Sequence, residues 1–316
     1  MRAVAVADFG AEPEVMDLPE PVPGPGEFLV HLRAAGMNPF DWKVAEGLLR
    51  RAVHHSFPLI LGSDGAGTVH AVGDGVSAFR PGERVYGQFL RLPQGLGSYS
   101  EYALATEEDA VARMPDGMLF TQAAAVPTAT MTAYGLVEAA GVDAGQKVLV
   151  VGATGGVGQS AVQFARDRGA VVAATAAGAE AEEWMRHLGA SEVLDHTRGP
   201  IVERLLELCP DGVHTVIDLV QDAGGVASLL PAVHRPGGTV ASTQGAVDTA
   251  ALAERGITGI NYSNRGSARL LAVLADLIDA GRLQVRIDHE ADLADAPSAL
   301  TRLRSGGARG KTVLRI

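Results

Sequence analysis

Two short stretches of this chain gather the residue types that do chemistry. In the first, "VLVVGATGGVGQSAVQFARDRGAVVAATA" (residues 148–176), Gly152, Gly155, Gly156 and Gly158 fall within seven residues, between an apolar run and a helical pattern. Gly152, Gly155 and Gly158 recur at every third position. Lacking a Cβ, the first permits a tight turn, the second lets backbone approach a pyrophosphate, and the third lets a helix pack closely on a strand. A helix starting there offers its free N–H groups and positive dipole end to phosphates. The spacing is GxxGxxG rather than GxGxxG, and it satisfies the same geometry. The flanking strand and helix favour a dinucleotide site over a glycine turn that binds nothing.

The second stretch is "NPFDWKVAEG" (residues 38–47), which sets Asn38, Asp41 and Lys43 close together. Lys43 can donate to an oxyanion and Asp41 can hold Lys43 in place. The alternative is a surface ion pair on a short helix. Trp42 reads as core or pocket wall. His54 and His55 in "RRAVHHSFP" project in different directions, with no third ligand nearby in sequence, and read as loop residues.

These residues need a scaffold. Residues 148–151 read as a strand and residues 156–168 as a helix whose Val157, Ala161, Phe164 and Ala165 face the sheet. From about 123 to 260, apolar runs such as "KVLVVG", "AVVAATA", "EVLDH" and "GVHTVIDLV" alternate with helical segments. Alternating βα units imply a parallel sheet covered by helices on both faces. Residues 1 to about 122 instead show short apolar runs broken by "PEPVPGPGE", "FRPGER" and "MPDG", the pattern of a β-rich barrel or sandwich. After about 268, "ARLLAVLADLIDAGRL" is an amphipathic helix, and "ARGKTVLRI" ends in a strand expected to return to the first domain.

Composition narrows the function. The formal net charge of −11 argues against nucleic acid and against an anionic membrane surface. One cysteine, Cys209, excludes an intrachain disulfide and a zinc site built from several thiolates. The opening "MRAVAVADFG" has no signal-peptide character, and no apolar stretch is long enough to span a bilayer. A cytoplasmic enzyme or binding protein is the expectation.

The tip of the strand after the glycine turn bears on NAD against NADP, because an acid there binds the ribose 2′-hydroxyl. It reads Ala174-Thr175-Ala176-Ala177-Gly178, without an acid, and Glu180 comes late. NADPH is favoured and NADH stays possible. A 2′-phosphate would need Thr175, His196, Arg198 or another loop; the alternative for His196 and Arg198 is a loop surface.

The motifs "NPFDWK", "LILGSDGAGTVHAVGDGV", "FRPGERVYG", "GSYSEYALA", "AAAVPTATMTAYGLV", "LVVGATGGVGQSAVQFAR", "IDLV" and "ARGKTVL" occur in order over nearly the whole chain. Together they resemble the zinc-independent branch of the medium-chain dehydrogenase/reductase superfamily, near the quinone oxidoreductases and the alkenal and enone reductases. The resemblance implies an α/β protein: a GroES-like, β-rich catalytic domain (1–122 plus 268–316) with an inserted Rossmann domain, a doubly wound parallel sheet (123–267). Zinc-dependent relatives place a Cys where Asn38 stands, a His-Glu pair at Ser63-Asp64, and a four-cysteine lobe; none is present, so no metal is expected. Asp64 then reads as a turn or a hydrogen-bonded structural position.

By resemblance, Gly152, Thr154, Gly155, Gly156, Val157 and Gly158 cradle the pyrophosphate. Thr175 and His196 lie toward the 2′-phosphate end. A Ser and a Lys common in the family there are Ala177 and Ala181, and its Tyr is His196. Leu219, Val220, Ser242, Thr243, Gln244, Arg309 and Lys311 match positions lining the ribose and nicotinamide; Arg309 and Lys311 otherwise read as a charged turn. Thr128 and Tyr99 are expected beside the ligands, with Trp42 as a further wall of the substrate pocket. Asn38, Asp41 and Lys43 are the catalytic candidates.

Without a Lewis acid, alcohol oxidation is unattractive, whereas a quinone or enone can take a hydride at carbon and delocalise charge onto oxygen. The expectation is an NADPH-dependent reductase of quinones or α,β-unsaturated carbonyls. The alternatives are a trans-acting enoyl reductase of a biosynthetic pathway and a non-catalytic cofactor-binding protein. A homodimer through the edge near "ITGINY" is implied by the resemblance alone.

Overall fold

The computed structural model describes residues 1–316. The chain forms two compact units, Met1–Met131 with Gly266–Ile316, and Thr132–Arg265. The units divide at 131/132 and 265/266, whereas the sequence reading sets the boundaries at 122/123 and 267/268. The segment from 123 to 131 goes with the first unit for a steric reason. Gly36 leaves no room for a Cβ, which would stand 2.0 Å from the Ala124 carbonyl oxygen, so the helix carrying Ala124 lies directly on its strand.

The N-terminal part of the first unit runs β1 (Arg2–Val6), β2 (Glu14–Asp17), β3 (Glu27–Met37), α1 (Pro39–Ala45), β4 (Leu59–Ile60), β5 (Asp64–Val72), β6 (Arg84–Gln88), β7 (Tyr102–Thr106), β8 (Val111–Arg113), α2 (Phe120–Ala124) and the start of α3 (Pro127–Ala139). The second unit holds β9 (Lys147–Val151), α4 (Gly156–Asp167), β10 (Val171–Ala176), α5 (Ala179–Leu188), β11 (Glu192–Asp195), α6 (Ile201–Leu208), β12 (Thr215–Asp218), α7 (Ala223–Leu229), β13 (Thr239–Ser242), α8 (Thr249–Ala253) and β14 (Thr258–Asn261). The chain then returns to the first unit with α9 (Ala268–Asp279), β15 (Ile287–Asp292), α10 (Ala296–Arg304) and β16 (Lys311–Arg315).

In the first unit the main sheet is ordered β15-β16-β3-β5-β6-β8, with β7 also on β3, and a small sheet pairs β2-β1-β4. The long β3 is its spine. Phe28, Val30 and Leu32 pack one core with Val69, Phe79 and Phe89, while Ala35 and Met37 join a second with Leu59, Leu61 and Leu314. The core-facing positions change from even to odd at a register shift between Leu32 and Ala34, as a bulge produces. β16 runs antiparallel to β3 with Thr312 opposite Met37. That register sets Lys311 beside the junction of β3 and α1.

In the second unit six strands lie in the order β11-β10-β9-β12-β13-β14, all parallel. This is the doubly wound order of a dinucleotide fold, with its switch point between β9 and β12. Val148, Leu149 and Val150 on β9 are fully buried; each contributes about 1.5–3 kcal/mol on leaving water. Such burial on both faces explains why the β9 sequence is a continuous apolar run. No helix is long and apolar enough to cross a membrane.

Candidate active site

The glycine turn follows β9 at the switch point. Gly152 has φ +78°, a left-handed conformation that costs other residues steric energy. A Cβ on Gly158 would stand 2.3 Å from the Gly152 carbonyl oxygen and 2.5 Å from the Ala153 Cα, so α4 lies against the end of β9. Around Gly155 the nearest atom to a Cβ would be the Gly152 oxygen, at 3.6 Å. That face is open, and Gly155 is the N-cap of α4, with no side chain capping it. The first-turn amides of Gly156, Val157 and Gly158 lack intrahelical acceptors. The turn is thus tight at Gly152, open at Gly155 and closed against β9 at Gly158.

Side chains brace the turn. The Gly152 amide donates to Thr175 Oγ1 at 3.0 Å, so Thr175, buried on β10, holds the turn. Gln159 Nε2 donates to the Thr154 carbonyl at 2.7 Å, and Trp184 on α5 donates to Gln159 Oε1 at 3.0 Å. Gln159 and Trp184 were not candidates in the sequence reading, since neither their type nor their spacing announces a bracing role.

At the neighbouring strand ends, Asp218 faces Val151 on one side and Ser242 on the other. Burial pushes its carboxyl up to about 6, against the Gln221 and Val220 amides and the Ser242 hydroxyl. The Gln244 side chain donates to the Leu219 carbonyl at 2.9 Å, its amide donates to Ser242 Oγ at 3.0 Å, and the Thr243 amide donates to the Asp218 carbonyl at 3.3 Å. Leu219, Ser242, Thr243 and Gln244 are thus gathered at one edge, with Val220 exposed beside Gly152. At the end of β11, Asp195 is the register partner of Ala176. Hydrogen bonds from Thr197 hold the Asp195 carboxyl below the usual range, and Arg198 lies 3.2 Å away with its side chain 76% exposed. His196 is exposed next to them.

In the first unit, "NPFDWK" forms α1. Asp41, at the third helical position, accepts from the Asn38 amide at 2.7 Å and from the Tyr99 hydroxyl at 2.7 Å. It is buried and turned inward. Burial is the main reason its carboxyl is pushed up to about 7; Tyr99 and the Asn38 amide oppose, Asp64 adds to the rise, and Lys311 opposes. The expectation that Asp41 holds Lys43 is corrected: Asp41 faces Tyr99, whereas Lys43 Nζ lies 5.7 Å from the centroid of the Trp42 ring. Tyr99 is fully enclosed, packed among core side chains rather than lining an open wall. Trp42 lines a hollow of about 110 Å³ with Leu61, Leu300 and Arg304, and the Arg304 guanidinium carbon lies 5.1 Å from its ring centroid.

Asn38 sits at the centre of a buried chain of polar groups. Its Nδ2 donates to Asp64 Oδ2 at 2.9 Å, and Lys311 Nζ donates to Asn38 Oδ1 at 2.5 Å and to the Met37 carbonyl at 2.7 Å. Asp64 also accepts from the Thr128 amide at 3.1 Å and from Thr128 Oγ1 at 2.5 Å, and Gln88 Nε2 donates to Thr128 Oγ1 at 2.6 Å. Burial pushes Asp64 up and Lys311 down; their mutual attraction, across 3.9 Å, opposes both shifts. Lys311, expected beside the ribose or nicotinamide, is 4% exposed and belongs to this cluster. Arg309 is exposed in the preceding turn.

A family model described as "Alcohol dehydrogenase GroES-like domain" matches residues 24–116, and one described as "Zinc-binding dehydrogenase" matches residues 188–314. The chain is 31% identical over 328 residues to a quinone oxidoreductase of Homo sapiens, covering 99% of this chain and 97% of the relative. The chain belongs to the medium-chain dehydrogenase/reductase superfamily. Within that superfamily it is also 31% identical, over 325 residues, to the 2-methylene-furan-3-one reductase of Solanum lycopersicum, covering 99% of this chain and 79% of that one. The crystal structure of Escherichia coli quinone oxidoreductase complexed with NADPH superposes with a TM-score of 0.88 at 26% identity, covering 100% of both chains.

Some superfamily members bind zinc, so the donor set matters. No group of three or more His, Cys, Asp or Glu residues is placed to hold a metal ion. At Asn38 and Asp64 the side chain between β16 and α1 is a lysine, and an ammonium repels a second cation. The residues present do not fit a metal. The sequence reads the buried carboxylate Asp64 as a turn or a hydrogen-bonded structural position. Its partners come from β16, β3 and α3, which local sequence cannot connect.

Proposed function

We propose that this oxidoreductase is an NADPH-dependent, metal-free reductase of quinones or α,β-unsaturated carbonyls. The observation that carries the reading is the glycine turn. One face is closed by α4 against β9, the Gly155 face is open, and the bare N-terminus of α4 adjoins it. That cradle suits a pyrophosphate. NADPH is preferred over NADH because the end of β10 offers Ala176 and Ala177 instead of an acid, and the exposed Arg198 stands at the end of the adjacent β11. The cofactor, when bound, supplies a hydride from C4 of its reduced ring.

The remaining task falls to the chain: to stabilise negative charge as it develops on the acceptor oxygen. Asn38 retains a second N–H on Nδ2 once Asp64 has taken the first. Lys43 is the second donor, an ammonium leaning on Trp42 at the surface of α1. Leu219, Ser242, Thr243 and Gln244 flank the nicotinamide ribose at the ends of β12 and β13. Water protonates the resulting enolate. The free edge of β14 (Thr258–Asn261) pairs with a second copy in a homodimer. Acceptor-dependent oxidation of NADPH, followed with a panel of quinones and enones after exhaustive chelation, tests the reading. Turnover that survives chelation supports it; saturable NADPH binding without turnover on any acceptor overturns it.

A further inference from the structure

We propose that Lys311 is a positioning residue: with Asp64, it fixes which way the Asn38 carboxamide faces, so that one N–H of Asn38 is presented to the acceptor oxygen. The inference deepens the reductase reading above and rests on it for its catalytic part. Its structural part stands on the cluster alone.

A carboxamide can flip, exchanging its oxygen and nitrogen, unless its neighbours distinguish the two ends. Here both neighbours do. Lys311 has only donors, so the end facing Nζ must be oxygen, and Asp64, when ionised, has only acceptors, so the end facing it must be nitrogen. Each constraint favours the same orientation, and only the two together leave no competing arrangement of similar energy. The Lys311 backbone lies on β16, beside the end of β3 where α1 begins, so the ammonium is held by a sheet rather than by a loop. Asp64 is fixed in turn, because its carboxylate accepts the Thr128 amide and hydroxyl at the start of α3. The helix dipole favours the ionised form there.

Charge bookkeeping agrees. The enclosed set contains Asp41, Asp64 and Lys311, and the Tyr99 hydroxyl faces Asp41. Asp64 has three donated hydrogen bonds and the ammonium at 3.9 Å. Asp41 has two donated bonds on Oδ2, while its Oδ1 has no partner. One cation therefore balances one carboxylate, Asp64, and the second carboxyl, Asp41, is the one placed to hold a proton. Lys311 supplies that balancing charge from within the chain. Its job is to hold a donor in place, and it does not itself polarise the acceptor.

The test compares Lys311→Met, Asp64→Asn/Lys311→Met, Asn38→Ala and Asn38→Ala/Lys311→Met with the intact enzyme. Steady-state turnover on an accepted quinone or enone is measured together with NADPH affinity from nicotinamide fluorescence. The expected result is a fall in kcat of roughly 10- to 100-fold in Lys311→Met, with NADPH affinity held within about twofold. The Lys311→Met change should have little further effect in an Asn38→Ala background. If removing the counter-charge unfolds Lys311→Met, the charge-neutral double variant folds and shows the same kcat loss. An NADPH affinity that collapses while kcat stays intact would make Lys311 a cofactor anchor and overturn the proposal. So would a full Lys311→Met effect persisting without Asn38, or wild-type kcat in the charge-neutral double variant. A second readout needs no turnover: heteronuclear NMR of the Asn38 side-chain amide. Two resolved, slowly exchanging protons in the wild type should merge or broaden in Lys311→Met. If the wild type turns over no acceptor, the reductase reading fails alone, and an amide signal unchanged by Lys311→Met overturns the positioning itself.

Discussion

The glycine turn of the second unit and the polar cluster of the first solve opposite problems. The turn is made by omission: its backbone groups are its working parts, and missing side chains open one face while closing another. The cluster is made by addition, with groups from β3, α1, β5, α3 and β16 meeting largely out of water. A backbone site is contiguous in sequence and tolerates change around it. A buried charged site draws on distant positions, and each member constrains the others.

The largest effect that could break this contrast is expected at Gly158. Gly158→Val would force a β-carbon to 2.3 Å from the Gly152 oxygen. A loss of about 3 kcal/mol or more should follow in urea denaturation, since the contact is with backbone that cannot turn aside. Gly155→Val sharpens the contrast from the other side. Its β-carbon has space, so stability should hold while NADPH affinity falls about a hundredfold, about 3 kcal/mol. Fluorescence titration beside a thermal melt separates the two variants.

The cluster makes a pH prediction. Asp41 rises from 3.8 in the unfolded chain to about 7 in the fold. Between those values the unfolded chain has released the proton and the fold still holds it, so stability falls as pH rises through the window and levels off above it. Tyr99, Asp64 and Lys311 face this carboxyl. Asp41→Asn removes the titration. The stability of the wild type relative to the variant should therefore drop by about 2 kcal/mol between about pH 5 and about pH 8. A pH-independent difference would show that Asp41 is ionised throughout. The smallest effect is expected from Arg304→Ala, which removes a 2.6 Å pair with Glu46 and the cation over Trp42. At the surface these contribute under about 1 kcal/mol, and the change should show mainly as altered Trp42 fluorescence.

The same contrast explains what could be read from the sequence. The strand before the turn and the helix after it were legible, with the observed β9 starting one residue earlier and α4 ending one residue sooner, because local periodicity and glycine spacing encode them. The tight turn at Gly152 and the close helix packing at Gly158 were legible too. Asp41 could be nominated but not aimed: Lys43 is its neighbour in sequence, and Tyr99 becomes its neighbour only after β1 and β4 have brought the loop carrying Tyr99 beside α1. The resemblance of "ARGKTVL" sets Lys311 beside the ribose and nicotinamide, and the alternative reading sets it in a charged turn. Only the pairing of β16 with β3 shows that it points into the protein.

The interleaving of the two units also bears on synthesis. The edge of β3 from Ala34 to Met37 receives its partner only when β16 has emerged, after the whole parallel sheet has been translated. Until then the nascent first unit carries an unpaired edge beside an incompletely compensated acid, a hazard for aggregation, whereas residues 132–265 have all their strands in hand. A ribosome-stalled chain ending before β16 should therefore expose a protease-sensitive N-terminal part next to a resistant middle.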